Sequence, residues 1–366
     1  MKLRNKIPVG KAFPRLLIAL AASVAAMGAT AQSADGQQFR LLLGIVVEGL
    51  DDAGLEQLRD RLGEGGFRML AEKGIYIPAV DYGTALDATA ATATVMSGAQ
   101  PALSGVDGEL RYDRERMRYA HIFADAESMG NFTQEAYTPR ALRVSTVSDE
   151  ARIAGGGINV VYAIAPTPGQ AIALGGHSGN AALWLDPATG NWASSTYYRD
   201  MPMCIAQRNR IAPLTMRMDT MSWAPSGGSE VFAMLPEHLT RYPFRYVFPR
   251  SNPKRLDMFM ASPLMNTEVT AVAGEILSSL RLGKREEGID VLNIGYSLTP
   301  YPYGRNSDKR LEQLDACLRL DRNLEQLFSA VDRTVGLNHT LIYLAGTPAR
   351  PYSPPKAEKR RITNGD

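Results

Sequence analysis

Apolar positions along the chain fall into two patterns. Leu41-Leu42-Leu43-Gly44-Ile45-Val46-Val47 is an unbroken apolar run, the mark of a strand buried on both faces of a parallel sheet. It stops at the charged residue Glu48. Over residues 55–70 the spacing changes: Leu58, Leu62, Phe67 and Leu70 recur at helical intervals and predict a helix. Gly74-Ile75-Tyr76-Ile77 then predicts a short second strand, and residues 90–96 a helix that ends at Ser97-Gly98. Further strands are predicted over 158–164, 291–296 and 340–344, with an amphipathic helix over 311–331 between the last two. Strands alternating with helices imply an α/β fold with a mostly parallel central sheet flanked by helices. Residues 165–260 break the rhythm, because Gly, Pro, Trp and Tyr are frequent and helical periodicity is weak. The expected organisation is a core in two parts, 38–164 and 261–350, a cap insertion over 165–260, and a tail over 351–366.

The first residues read as a targeting segment. Lys2, Arg4, Lys6, Lys11 and Arg15 precede the apolar run 16–27, and Ala29-Thr30-Ala31 supplies a small-x-small cleavage site. This is the pattern of a signal peptide over 1–31. The run is shorter than the roughly 20 residues that span a bilayer, so an exported protein, periplasmic or secreted, with no membrane span after cleavage is expected. The leader also accounts for the basic balance. The whole chain carries +2 and the leader holds five cations and no acid, which leaves −3 on the remainder. Nothing in that charge points to nucleic acid, and the cluster Lys356, Lys359, Arg360 and Arg361 reads as a solvated tail. Cys204 and Cys317 are the only cysteines. They form no disulfide framework, and an oxidising compartment permits one bridge without implying it.

In open α/β sheets the functional crevice lies at the carboxyl ends of the strands. Glu48, directly after the first predicted strand, is a carboxylate able to ligate a metal. The next helix opens with Asp87-Ala88-Thr89-Ala90-Ala91-Thr92. Thr89 and Thr92 are weak nucleophile candidates, since no His or Lys neighbours them to activate a hydroxyl.

Several segments in order resemble the alkaline phosphatase superfamily. They are Leu42-Leu43-Gly44-Ile45-Val46-Val47-Glu48, Gly63-Glu64-Gly65-Gly66-Phe67 and Thr94-Val95-Met96-Ser97-Gly98-Ala99-Gln100-Pro101. The likeness continues through Thr138-Pro139-Arg140, Gly175-Gly176-His177-Ser178-Gly179-Asn180, Ser262-Pro263-Leu264-Met265-Asn266-Thr267 and Leu318-Arg319-Leu320-Asp321. It is nearest to the secreted bacterial phosphomonoesterase branch, which is related to the type I phosphodiesterases and nucleotide pyrophosphatases. The resemblance implies an active site in which two zinc ions activate a nucleophile and stabilise a transferring phosphoryl group. At the matching positions this chain departs from the pattern. The family's first Asp falls at Glu48, its nucleophilic Thr at Ala88, and its phosphate-binding Asn at Glu109, whose charge would repel phosphate. The Lys and Arg that reach phosphate fall at Thr167 and Gly169. One Asp and His pair falls at Pro300 and Gly304, and the next at Gly346 and Thr347. A final His is expected after the last of these segments, and the sequence ends at Asp366 without one.

The chain has four histidines, His121, His177, His238 and His339, and none follows a predicted strand in ligand spacing with an Asp. Glu48 is the only matching metal-ligand candidate, so no cofactor is expected. The resulting reading is an exported pseudophosphatase with a binding or scaffolding role and an unknown ligand or protein partner. Trp184, Trp192, Tyr197 and Tyr198 in the cap, with Tyr301 and Tyr303, would offer stacking surface to a glycan or peptide. The alternative is an active phosphate or sulfate ester hydrolase with a non-standard metal site, built from Glu48 with Asp87 or Asp107. A third reading is a decaying product without a settled role.

Overall fold

A computed structural model describes residues 38–349 apart from 84–85, 115–116, 200, 229, 242, 286 and 305–306. The expected leader, 1–31, and tail, 351–366, lie outside the described residues.

Among these residues the main sheet has seven strands: β1 (Leu41–Glu48), β2 (Gly130–Asn131), β3 (Val161–Ile164), β4 (Ala181–Leu185), β5 (Trp192–Ser195), β6 (Asp290–Ser297) and β7 (Thr340–Thr347). Their order is β7-β1-β6-β3-β4-β5-β2. The five strands from β7 to β4 run parallel, and β5 and β2 complete the sheet antiparallel. The fold is therefore the mixed α/β arrangement that the apolar runs imply. β1 sits inside the sheet and is buried along nearly all its length, which is why its sequence shows no polar alternation.

Each face of the sheet carries a helical layer. One face, bearing Val46 and Ala163, packs against α1 (Ala88–Ser97), α2 (Val147–Ala154) and α3 (Pro168–Gly175). The other, bearing Leu43, Ile45 and Val47, packs against α4 (Pro263–Ser279) and α5 (Arg310–Thr334). On α5 the stripe Leu311, Leu314, Leu318, Leu324, Phe328 and Val331 is buried at the predicted spacing.

Three expectations change. The predicted helix over 55–70 is two short helices, Asp52–Leu58 and Phe67–Lys73, separated by a glycine-rich turn. Asp321 of α5 causes the break, because its carboxylate accepts hydrogen bonds from Gly63 N at 2.7 Å and Phe67 N at 2.9 Å. A Cβ at Gly66 would overlap that carboxylate. Gly74-Ile75-Tyr76-Ile77 is not a strand, and Ile75 is 95% exposed. A β-prone run needs a neighbour to pair with, and this one lies away from the sheet. Within the expected cap, 165–260, α3, β4 and β5 belong to the central layers. The remainder packs onto the core, where Ile205, Leu214, Met218, Phe248 and Phe259 join the same apolar cluster as α4 and α5. Among the described residues, no helix is long and apolar enough to cross a membrane.

Candidate functional site

The register of the three central strands builds the site. Glu48 pairs with Ser297 on one side and Thr347 on the other. Paired residues of parallel strands present their side chains to the same face, about 5 Å apart. The face is that of α1 and α3, so three polar side chains stand at the carboxyl edge beneath the helix N-termini. Ser297 Oγ donates to Glu48 Oε2 at 3.1 Å and lies 3.1 Å from Thr299 Oγ1. Thr347 is 1% exposed, and its hydroxyl has no hydrogen-bond partner among the described residues. The ladder is prolonged past the strands, with Leu298 N donating to the Glu48 carbonyl and Gly49 N to the Thr347 carbonyl, each at 2.7 Å.

Asp87 is the N-cap of α1, as its short acceptor side chain suits that position. One carboxylate oxygen accepts from Ala90 N at 2.9 Å and the other from Glu109 N at 2.6 Å. This second bond draws the segment carrying Glu109 toward the helix start. The consequence is electrostatic: burial pushes the Glu48 carboxyl up to about 7, opposed by the Ser297 hydrogen bond and reinforced by the charges of Glu109 and Asp87. Glu109 is also raised, by burial and then by Asp87. Among the described residues no Lys, Arg or His forms an ion pair with Glu48, Asp87 or Glu109.

The other predicted residues have separate surroundings. Ala88 opens α1 and presents only a methyl group. Thr89 is buried where α1 meets α3, and a Cβ at Gly169 would overlap its hydroxyl. Thr92 is fully buried and donates to the Ala88 carbonyl at 2.7 Å. Both threonines are enclosed by the protein. Thr167 serves as the N-cap of α3. Gly346 accepts from the Tyr82 hydroxyl at 2.6 Å. Pro300 is exposed. Gly304 lies in the following loop, where its carbonyl accepts from Lys309 Nζ at 2.7 Å beside the Tyr246–Glu312 hydrogen bond. The structure thus gathers Glu48 and Thr347 with Ser297, beside an acidic α1 N-terminus carrying Asp87 and Glu109.

The aromatic residues expected to offer stacking surface are packing elements instead. Trp184, Trp192 and Tyr198 are each 1% exposed. Tyr197 donates to the His177 carbonyl and packs edge-on against Tyr198. Tyr301 is buried and packs against Trp223 and Tyr246, with ring centroids 5.0 and 4.7 Å away, and Tyr303 stands edge-on to Tyr301. Sheet interior and inter-element contacts, rather than a ligand, consume their faces.

A zinc pair does not fit these residues. Among the described residues, no three His, Cys, Asp or Glu side chains converge so as to hold a metal ion. His177 bonds Asp149 and the Leu142 carbonyl, and His339 the Gln38 carbonyl. His121 is half-buried against Tyr137 and pushed down to about 4 by desolvation, and His238 lies on a short exposed helix. Asp107 is exposed and paired with Arg111. Both cysteines are free thiols. Sequence reasoning missed Ser297 and Asp149. Ser297 ends its strand as Glu48 does, which was the available signal, whereas Asp149 announces itself only through the capping box Thr146-x-x-Asp149.

No family model matches the chain. Alkaline phosphatase PhoV of Synechococcus elongatus is 25% identical over 330 residues, covering 86% of this chain and 60% of PhoV. Alkaline phosphatase PafA of Elizabethkingia meningoseptica is 23% identical over 339 residues, with the same coverage of 86% and 60%. This chain therefore spans about 60% of the length of these curated relatives. A crystal structure of a mutant of alkaline phosphatase PafA superposes with a TM-score of 0.70 at 21% identity, over 85% of this chain and 63% of that one. The mostly parallel sheet with helices on both faces matches the alkaline-phosphatase-like fold of PafA. Over most of its length, the chain is similar in sequence and fold to members of the alkaline phosphatase superfamily.

Proposed function

We propose that this chain is an exported, catalytically inactive member of the superfamily that binds a ligand or partner rather than hydrolysing an ester. The observation that supports this reading most directly is the composition of the strand-end crevice. Where a metallo-phosphatase needs a nucleophile and clustered ligands, these strand ends have the Ala88 methyl, and among the described residues no three His, Cys, Asp or Glu side chains converge on a common metal position. Glu48, Asp87 and Glu109 would also repel a phosphate dianion in a partly buried setting, where charge repulsion is least screened. The basic, apolar and Ala29-Thr30-Ala31 segments of the leader support export.

The test is metal content by mass spectrometry after dialysis, with turnover of p-nitrophenyl phosphate in added zinc followed on the same sample. The expected outcome is metal below about a tenth of an equivalent and no turnover above a Glu48→Ala control. Near-stoichiometric metal with Glu48-dependent turnover would overturn the reading and establish a hydrolase with a non-standard site.

A further inference from the structure

We propose that the strand-end crevice binds a primary ammonium group, held by Glu48, Glu109 and the Thr347 hydroxyl. The inference rests on the reading that the crevice is no longer a metallo-esterase site, and it names the chemistry of what replaces the metal and phosphate.

Two independent observations converge on it. First, the crevice concentrates negative charge without a counter-ion: Glu48, Asp87 and Glu109 interact with one another and pair with no described cation. Removing carboxylates from water is costly unless a cation or donors compensate them. Second, Thr347 is 1% exposed, its hydroxyl is unpartnered among the described residues, and the strand register sets it beside Glu48 on the same face. Buried polar atoms are nearly always satisfied, so this hydroxyl marks a place where a bound group completes the hydrogen bonding.

The pattern of used and unused acceptors selects the ligand. The α1 N-terminus, which favours an anion, already has Asp87, whose two oxygens are engaged by Ala90 N and Glu109 N. A further anion has no role there. Glu48 Oε2 is taken by Ser297, which leaves Oε1. The Glu109 carboxylate accepts no hydrogen bond from a described residue. With the Thr347 oxygen, these are three acceptors, and a primary ammonium offers three N–H donors on one charge. A quaternary ammonium has the charge but no donor, so it satisfies only the electrostatic half of the site.

The experiment is titration of the full chain, in amine-free and metal-free buffer, with propylammonium chloride and separately with tetramethylammonium chloride at matched ionic strength, read by isothermal calorimetry. Saturable propylammonium binding is expected, at least about tenfold tighter than tetramethylammonium. Glu109→Gln is expected to weaken propylammonium by about tenfold, in line with loss of a charged hydrogen bond, and Thr347→Val by a smaller factor that Thr347→Ser restores. Asp107→Asn, which removes an exposed carboxylate outside the crevice, leaves the affinity unchanged. Thermal unfolding of each variant confirms that it is folded. Equal binding of the two cations, absence of propylammonium binding, or an equal loss in Asp107→Asn would overturn the inference. Zinc content and aryl phosphate turnover on the same sample separate the failures. No turnover with no propylammonium binding sinks this inference alone, whereas zinc-dependent turnover sinks the inactive-enzyme reading and this inference with it.

Discussion

Glu48→Gln is expected to stabilise the protein at neutral and mildly alkaline pH, an unusual outcome for a substitution at a strand end beside a functional crevice. In the folded chain the Glu48 carboxyl titrates at about 7 instead of 4.5. The unfolded chain therefore releases this proton more readily than the folded one. The sign follows: the contribution of Glu48 is fully present below its ordinary value and is lost as the pH rises through about 7. At about 1.4 kcal/mol per pH unit, the penalty above the folded value is of order 3 kcal/mol, reduced in practice by water entering the partly exposed crevice. A glutamine keeps the Ser297 hydrogen bond and carries no charge at any pH. Urea unfolding of both proteins in metal-free, amine-free buffer at pH 5 and pH 8 measures the difference. Glu48→Gln should be more stable at pH 8 by about 1–3 kcal/mol, with the gap narrowing toward pH 5. A variant less stable than the parent at pH 8, or a gap independent of pH, would refute the argument. The first of those results would mean that Glu48 is held ionised by a bound cation even in these buffers.

Two other substitutions probe the frame around the crevice. Gly169→Ala places a Cβ against the Thr89 hydroxyl where α1 and α3 touch, so a loss of about 1–3 kcal/mol is expected by urea unfolding, largely recovered in the Gly169→Ala, Thr89→Ala pair. Asp149→Ala removes a buried carboxylate that accepts from the backbone and side chains of Thr146, His177 and Ser178. Burial alone would raise the Asp149 carboxyl, but the hydrogen bonds from His177, Ser178 and Thr146 outweigh it and hold the group far below its ordinary value. Its stabilisation is present above that ordinary value and is lost as pH falls toward the depressed one. The variant should lose about 3–5 kcal/mol at pH 7, with the deficit shrinking on acidification below pH 3.8 in chemical denaturation.

Much of the frame was legible because it depends on local pattern. The run ending at Glu48 could only be a doubly buried strand, and the stripe from Leu311 to Val331 only a helix with one packed face. The departures share one cause, a distant residue overriding local preference. Asp321 turns one predicted helix into two by capping a turn more than 250 positions away in sequence. Ile75 and Ile77 have strand character and no strand to join. The Trp and Tyr residues between 184 and 198 looked available because composition says nothing about which face of a strand is covered.

The candidate site divides the same way. Sequence alone determined which chemical groups exist: four histidines, Glu48 after the first strand, Ala88 at the helix start, Glu109 at a position of phosphate contact, and Gly, Pro or Thr at the other positions where the family resemblance implied metal ligands or phosphate contacts. No folding of the chain adds a functional group to that inventory. Tertiary structure decided which groups meet. It set Ser297 and Thr347 on either side of Glu48 through strand register, drew Glu109 toward Asp87 through a backbone hydrogen bond, and buried Thr89 and Thr92 between helices. Those outcomes depend on pairing and packing between segments tens to hundreds of residues apart, and their energies are set by burial and by neighbouring charge, neither of which is a property of a residue in its sequence context.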